Sequence, residues 1–194
     1  MTHVPGRGDL GPAVHAFDAA ADQLLERLRE HPLADRLFLA ATHLGDFSLI
    51  WHIANVARGL TSPRRAAQVP VLALALGAES LFVNQGLKRL FDRSRPTLEG
   101  DPRLPVRRPS TSALPSGHAS AAAFTATVLT GWDGRRSAVL WWGLGTTVAA
   151  SRAYVRIHHP SDVVAGMAVG AGLGLAARAV LRECRRRGRR WAWS

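Results

Sequence analysis

The chain has 194 residues and a formal net charge of +11, with 25 Lys and Arg against 14 Asp and Glu. That length suits one domain, and a single cysteine, Cys184, excludes an internal disulfide and any Cys-rich zinc site. The excess of positive charge narrows the partners to nucleic acid, an anionic membrane surface or an anionic substrate.

Residues 1–12 read as a flexible tail, polar and Gly-rich with no apolar run behind them, so no cleavable signal is expected. Over 13–30, Val14, Phe17, Ala21, Leu24, Leu25 and Leu28 follow helical spacing, and Asp18, Asp22, Glu26, Arg27 and Arg29 fill the other face. This predicts an amphipathic helix too charged to span a bilayer and suited to its interface. His31-Pro32 ends it.

Arg36 to Arg58 is mostly apolar but carries Thr42, His43, Asp46, Ser48, His52 and Asn55. It predicts a first membrane helix whose polar stripe faces protein, because lipid does not tolerate it. A basic loop is expected over 61–68, then a second helix from Val69 to about Phe91 with Glu79 in its middle. Residues 97–114 hold several prolines and charges and predict an irregular loop.

Pro115-Ser116-Gly117-His118 opens a third apolar helix, and a basic turn over 132–136 separates it from a fourth, Ser137 to Ala150. A fifth runs from Asp162 to Leu181, rich in glycines that let helices approach closely. The arginine-rich stretch 182–194 reads as a basic cytoplasmic tail.

The expected fold is therefore all-α, a multi-span membrane bundle over 31–181 with about five transmembrane helices plus the interfacial helix. The apolar stretches are short, and the alternation of loops decides for the membrane. Loops 61–68 and 132–136 and the tail fall on one side and are basic, as cytoplasmic segments are. Segments 92–117 and 151–162 fall on the other and are basic too, so their arginines need another task.

Those two segments hold nearly all the reactive groups. Lys88 and Arg95 are seven residues apart, two helical turns, and suit phosphate oxygens as a point charge and a planar fork. Snorkelling at the membrane edge would place them there equally well. Ser116 is a good N-cap, Gly117 lets backbone approach a ligand, and the helix start favours an anion. His118 on that first turn can give a proton to a leaving oxygen, or simply face solvent on an ordinary capped helix. In the run from Ser151 to Asp162, His158 and Asp162 are four apart, with Pro160 suited to open the next helix. Asp162 can then fix the His158 tautomer and leave the other ring nitrogen free to attack. His159 competes for that role without the same spacing. A metal held by His118, His158, His159 and Asp162 is opposed by the cations Lys88, Arg95, Arg152 and Arg156 around them.

Taken together, Lys88-x6-Arg95-Pro96, Pro115-Ser116-Gly117-His118 and Ser151-Arg152-x5-His158-x3-Asp162 resemble the tripartite signature of the type 2 phosphatidic acid phosphatase (PAP2) superfamily, which includes vanadium haloperoxidases. The resemblance spans roughly residues 36–181, with no departure at a signature position. It implies a metal-independent lipid phosphatase of the cell membrane without a cofactor. His158 would form a phosphohistidine, Asp162 would orient it, and His118 would protonate the leaving group. Lys88, Arg95, Arg152, Ser116 and the Gly117 amide would hold the phosphate. It further implies a site at the extracytoplasmic surface.

The expected substrate is a lipid phosphate, with polyprenyl-type phosphates or diphosphates favoured over phosphatidic acid and phosphatidylglycerol phosphate. That preference follows the Ala- and Arg-rich composition and the Leu33–Trp51 stretch, which is similar to small actinobacterial members. Alternatives are a vanadate-dependent haloperoxidase, which the membrane helices oppose, and a non-enzymatic binder of anionic lipid, which leaves the three motifs unexplained. Nucleic acid is not an expected partner, and oligomeric state is open. His43, Asp46 and His52 fit buried packing or headgroup selection, and Glu79 a helix partner or the substrate path.

Overall fold

The computed structural model describes residues 10–96, 104, 106 and 111–187. The described residues are all helix and loop, in the order α1 (Pro12–Glu26), α2 (Pro32–Gly45), α3 (Leu49–Gly59), α4 (Pro63–Leu81), α5 (Gly117–Asp133), α6 (Ala138–Tyr154) and α7 (Pro160–Arg186). Among the described residues, three stretches are long and apolar enough to cross a membrane: Pro32–Gly59, Pro63–Leu90 and Pro160–Cys184.

The centre is α5. Every residue from Ala119 to Leu129 is buried, so the helix is apolar all round and shows no stripe. Helix α7 lies against it through glycine. A Cβ at Gly166 would strike the Ser116 carbonyl, one at Gly170 the Ser120 carbonyl, and one at Gly174 would lie 3.0 Å from the Phe124 oxygen. The two backbones therefore touch along three turns, closer than any larger side chain permits. Ser116 N–H donates to the Asp162 carbonyl at 3.0 Å, which ties the starts of both helices together.

Several boundaries differ from the sequence expectation. The first helix is Pro12–Glu26, because Pro12 pre-sets the helical φ after Gly11 (φ 85°). The first membrane segment is bent: Phe47 and Ser48 take φ of 52° and 60°, so α2 and α3 meet at Asp46–Ser48. Residues 63–68 are helix rather than loop, since Ser62 caps α4 by accepting from Arg65 N–H at 3.3 Å and Pro63 sits at its first turn. After Leu81 that helix loosens into a π turn (Phe82–Gly86) and a 3-10 turn (Leu87–Leu90), and Phe91 is extended. Helix α7 continues through Arg186 into the stretch read as tail, its last turn carrying the pair Glu183–Arg187 at 2.6 Å. The tails 1–9 and 188–194 and most of the 97–114 loop lie outside the described residues.

One end of the bundle is closed by Arg58 and Asp133, 2.8 Å apart, with Trp141 Nε1–H donating to the same carboxylate at 3.2 Å. At the other end α1 is strapped across the 153–161 loop. Arg29 donates to the carbonyls of Ala153 (3.1 Å) and Tyr154 (3.0 Å), and Arg156 pairs with Glu26. The outward face of α1 leaves Phe17 and Leu24 exposed, and the turn after it Leu28, which suits a segment lying in the membrane surface. Its only buried residue is Asp18, which points at the loop.

Candidate active site

The strapped end is where the three motifs meet. Arg152 ends α6, and its carbonyl accepts from the N–H groups of Ile157 (3.3 Å) and His158 (3.1 Å), folding the loop back on itself. Arg156 takes φ 58° to make that reversal. His158 is thereby returned beside Arg152, just before α7. Its Nδ1 faces Asp162 Oδ2 at 3.6 Å, an electrostatic contact longer than a hydrogen bond. Its Nε2 lies 3.2 Å from Arg95 Nη1. Asp162 is 0% exposed; its Oδ2 caps α7 by accepting from His159 N–H at 2.9 Å.

His158 is 2% exposed. Burial pushes its pKa down to about 3, aided by Arg95, Arg152 and Lys88 and opposed by Asp162. The ring is therefore neutral at physiological pH and keeps a lone pair, as a nucleophile requires.

The cations surround it. Lys88 and Arg95 do not share a helix face, because the helix stops at Leu90. They converge instead on Thr111: Lys88 Nζ donates to its hydroxyl at 3.4 Å and Arg95 Nη2 to its carbonyl at 3.0 Å. Arg95 Nη1 also donates to the Ile157 carbonyl at 2.7 Å. Arg152 is 1% exposed and donates through Nη1 to Thr42 Oγ1, while its Nε and Nη2 have no partner among the described residues. Unsatisfied buried N–H groups on a guanidinium are costly unless a ligand receives them. Ser116, 0% exposed, caps α5 by accepting from Ala119 N–H at 3.5 Å. A Cβ on Gly117 would come within 2.7 Å of Asn84 Oδ1, so a larger residue there would have to displace the Asn84 side chain from the cavity wall.

Lys88, Thr111, Gly117, His118 and His158 line one cavity of about 340 Å³. Away from the histidines it follows α4 past Asn84 and Ser80 to Gly77 and Ala73, with Ser48 and His52 opposite. It passes from charged, through neutral polar, to apolar lining. Among the described residues no group of three His, Cys, Asp or Glu is placed to hold a metal ion.

All eight sequence-derived positions thus lie at one end of the bundle. Of the site's other residues, the sequence does not single out Arg93, and it leaves Asp46 between buried packing and headgroup selection. Arg93, 5% exposed, donates to Asp162 Oδ1 (2.6 Å), Ser161 Oγ (2.7 Å) and Asp18 Oδ2 (2.7 Å). It joins α1 to the carboxylate behind His158. Asp46, one of the polar residues left open, accepts from or faces His118 Nε2 at 3.0 Å. Of the others, His43 is exposed, His52 lines the cavity, and Asn55 is buried packing, its Nδ2 donating to the Val69 carbonyl at 2.9 Å. Glu79 is buried and accepts from Ser120 Oγ. His159 lies on the α1 side of the loop, its Nδ1 3.9 Å from Asp18 Oδ2 and within the field of Arg93.

Arg93 holds two buried carboxylates at once. Arg93→Gln is expected to lower stability by about 3–5 kcal/mol, because both acids lose their counter-charge. Adding Asp18→Asn should restore part of the loss in a thermal melt by removing one of them. No recovery in the double variant would refute the linkage.

Known proteins resemble this chain in sequence and in fold. A family model described as the PAP2 superfamily matches residues 69–186. The chain is 32% identical over 150 residues to the decaprenylphosphoryl-5-phosphoribose phosphatase of Mycobacterium tuberculosis, covering 73% of this chain and 80% of that one. It is 30% identical over 112 residues to the putative undecaprenyl-diphosphatase YbjG of Escherichia coli, covering 58% and 55%. The fold is similar to the transmembrane PAP2 type phosphatidylglycerolphosphate phosphatase from Bacillus subtilis, with a TM-score of 0.69, 22% identity, and coverage of 90% and 89%. Aquifex aeolicus LpxE superposes with a TM-score of 0.66 at 22% identity, covering 83% and 94%. The family match takes in Lys88, Arg95, Ser116, His118, Arg152, His158 and Asp162, the residues gathered around the cavity, and on that ground the chain belongs to the PAP2 superfamily.

Proposed function

We propose that this membrane lipid phosphatase removes phosphate from a polyprenyl-type lipid, through a phosphohistidine at His158 and without a metal ion. The observation that carries the reading is the buried Arg152 guanidinium, with two nitrogens lacking a partner among the described residues, beside a neutral His158. Phosphoryl transfer depends chiefly on positioning and charge stabilisation, and three fixed cations supply the charge.

In the first step His158 Nε2 forms a bond to phosphorus as the bond to the leaving oxygen breaks, and His118 gives that oxygen a proton. In the second, water attacks phosphorus, His118 takes its proton, and the P–N bond breaks to release phosphate and free His158. Lys88, Arg95, Arg152, Ser116 and the Gly117 amide hold the non-bridging oxygens throughout. Asp162 fixes the His158 ring from behind.

The polyprenyl preference rests on the Mycobacterium and Escherichia relatives, whose names specify polyprenyl-linked substrates. The lining from charged to apolar suits a phosphate carried on a long chain. The site faces the extracytoplasmic side in this reading, because Arg58, Arg64, Arg65, Arg135 and Arg136 cluster at the opposite end, where α7 also finishes.

Purified, detergent-solubilised protein should release phosphate from polyprenyl phosphates and diphosphates faster than from phosphatidic acid or phosphatidylglycerol phosphate. Release should persist in EDTA and be blocked by vanadate. Spheroplasts expressing the protein should turn over substrate added outside without rupture. A Mg²⁺ requirement would overturn the metal-free mechanism, faster turnover of phosphatidic acid the chain preference, and activity only after rupture the orientation.

A further inference from the structure

The bend between α2 and α3 brings to the site a group outside the three motifs. Gly45-Asp46 wraps the His118 ring. A Cβ at Gly45 would lie 2.7 Å from His118 Cδ2 and 3.0 Å from Val148 Cγ1, so glycine lets the chain pass against the imidazole. Asp46 Oδ1 then stands 3.0 Å from His118 Nε2 and 3.9 Å from Arg152 Nη1. One turn earlier on α2, Thr42 Oγ1 accepts from the same Arg152 nitrogen. The geometry is held by two consecutive non-glycine residues at positive φ, Phe47 and Ser48, a conformation that costs energy and persists only where the surroundings enforce it.

We propose that Asp46 is the positioning residue of His118, giving the acid its own carboxylate as Asp162 serves the nucleophile; this rests on the role of His118 as leaving-group acid. The charged groups facing His118 are Asp46 from the bend, Arg152 from α6 and Lys88 from the turn after α4. Burial, and the two cations among the three, disfavour a protonated ring. The carboxylate is the one group that favours it. With Nε2–H directed at Asp46, the ring's other nitrogen is left for the leaving oxygen. Once that nitrogen has given its proton, the Nε2–H bond to Asp46 remains, and the freed lone pair is aimed to accept the proton of the hydrolytic water. Asp46 itself neither gains nor loses a proton in the cycle.

This role is selective for the leaving group. An alkoxide must be protonated as it departs, whereas a phosphate monoester departs readily on its own. Asp46→Asn should therefore lose roughly 30- to 100-fold in kcat on farnesyl phosphate, the scale of a general acid, but only a few-fold on farnesyl diphosphate. KM should change little for either. Asp46→Glu should recover part of the farnesyl phosphate rate, and His118→Gln should show the same leaving-group bias. Equal losses on the two substrates would mean a structural role and overturn the proposal. So would a lower KM at unchanged kcat, the mark of a carboxylate that merely occupies the phosphate position. If the unaltered protein hydrolyses neither compound, the phosphatase reading fails; if it hydrolyses both and Asp46→Asn shows no bias, only the inference about Asp46 fails.

Discussion

His158→Ala is expected to abolish turnover, with a loss on the order of 10⁵-fold, or about 7 kcal/mol of transition-state stabilisation. The remaining cations still bind phosphate, so substrate or vanadate binding should survive. Rapid acid-free quenching with labelled substrate should trap a base-stable, acid-labile phosphoenzyme in the unaltered protein and none in the variant. The variant should fold, because the backbone turn around His158 depends on the Arg152 carbonyl rather than on the ring. Burial and the neighbouring cations hold this histidine near pKa 3, so it stays neutral from mildly acidic pH upward. An acid limb of the rate between pH 5 and 6 would thus report another group, and altering that group should shift or abolish the limb. Retention of the labelled intermediate in His158→Ala would place the nucleophile elsewhere.

Arg152→Ala carries the second large effect. A fixed donor aimed at developing charge in a dry site contributes about 10³-fold, or about 4 kcal/mol. Most of the loss should appear in kcat/KM, with vanadate inhibition weakened in parallel, because vanadate would use the same nitrogens. Arg152→Lys should recover little: an ammonium cannot present Nε and Nη2 as a fork while also reaching Thr42. Unchanged vanadate affinity alongside lost activity would mean that Arg152 serves packing against α2 instead.

The sequence made the motif positions visible because each motif is local. His158 and Asp162 are one helical turn apart, Ser116 to His118 begins a helix, and both patterns follow from chain geometry alone. Arg93 escaped, and the role of Asp46 stayed open, for the opposite reason. Arg93 sits in an arginine-rich stretch and is distinguished only by partners 69 and 75 residues away, Asp162 and Asp18. Its partner Asp18 gave no stronger signal, being one of several acids on the polar face of the first helix until the fold buries it. Asp46 meets His118 across 72 residues, and only the Thr42–Asp46 spacing, one turn on one face, hinted at a shared target. The membrane class was legible in the alternation of apolar stretches and basic loops, whereas helix ends were not. Extending α4 back to Pro63 needed the Ser62 cap, and stopping it before Arg95 needed the π and 3-10 turns, neither of which changes hydropathy.

The glycine contact between α5 and α7 bears on how the enzyme's substrate range can be altered. His118 and His158 stand at the starts of two helices whose separation is the thickness of bare backbone, pinned by the Ser116–Asp162 hydrogen bond. That half of the molecule acts as a gauge block of fixed width between the two histidines. Adding even a methyl at Gly166 or Gly170 would respace the two histidines and spoil every substrate alike. New headgroups must therefore be accommodated in the other half, along the α3 and α4 walls at Ser48, His52, Ser80 and Asn84, where the cavity can be recut without resetting the gauge.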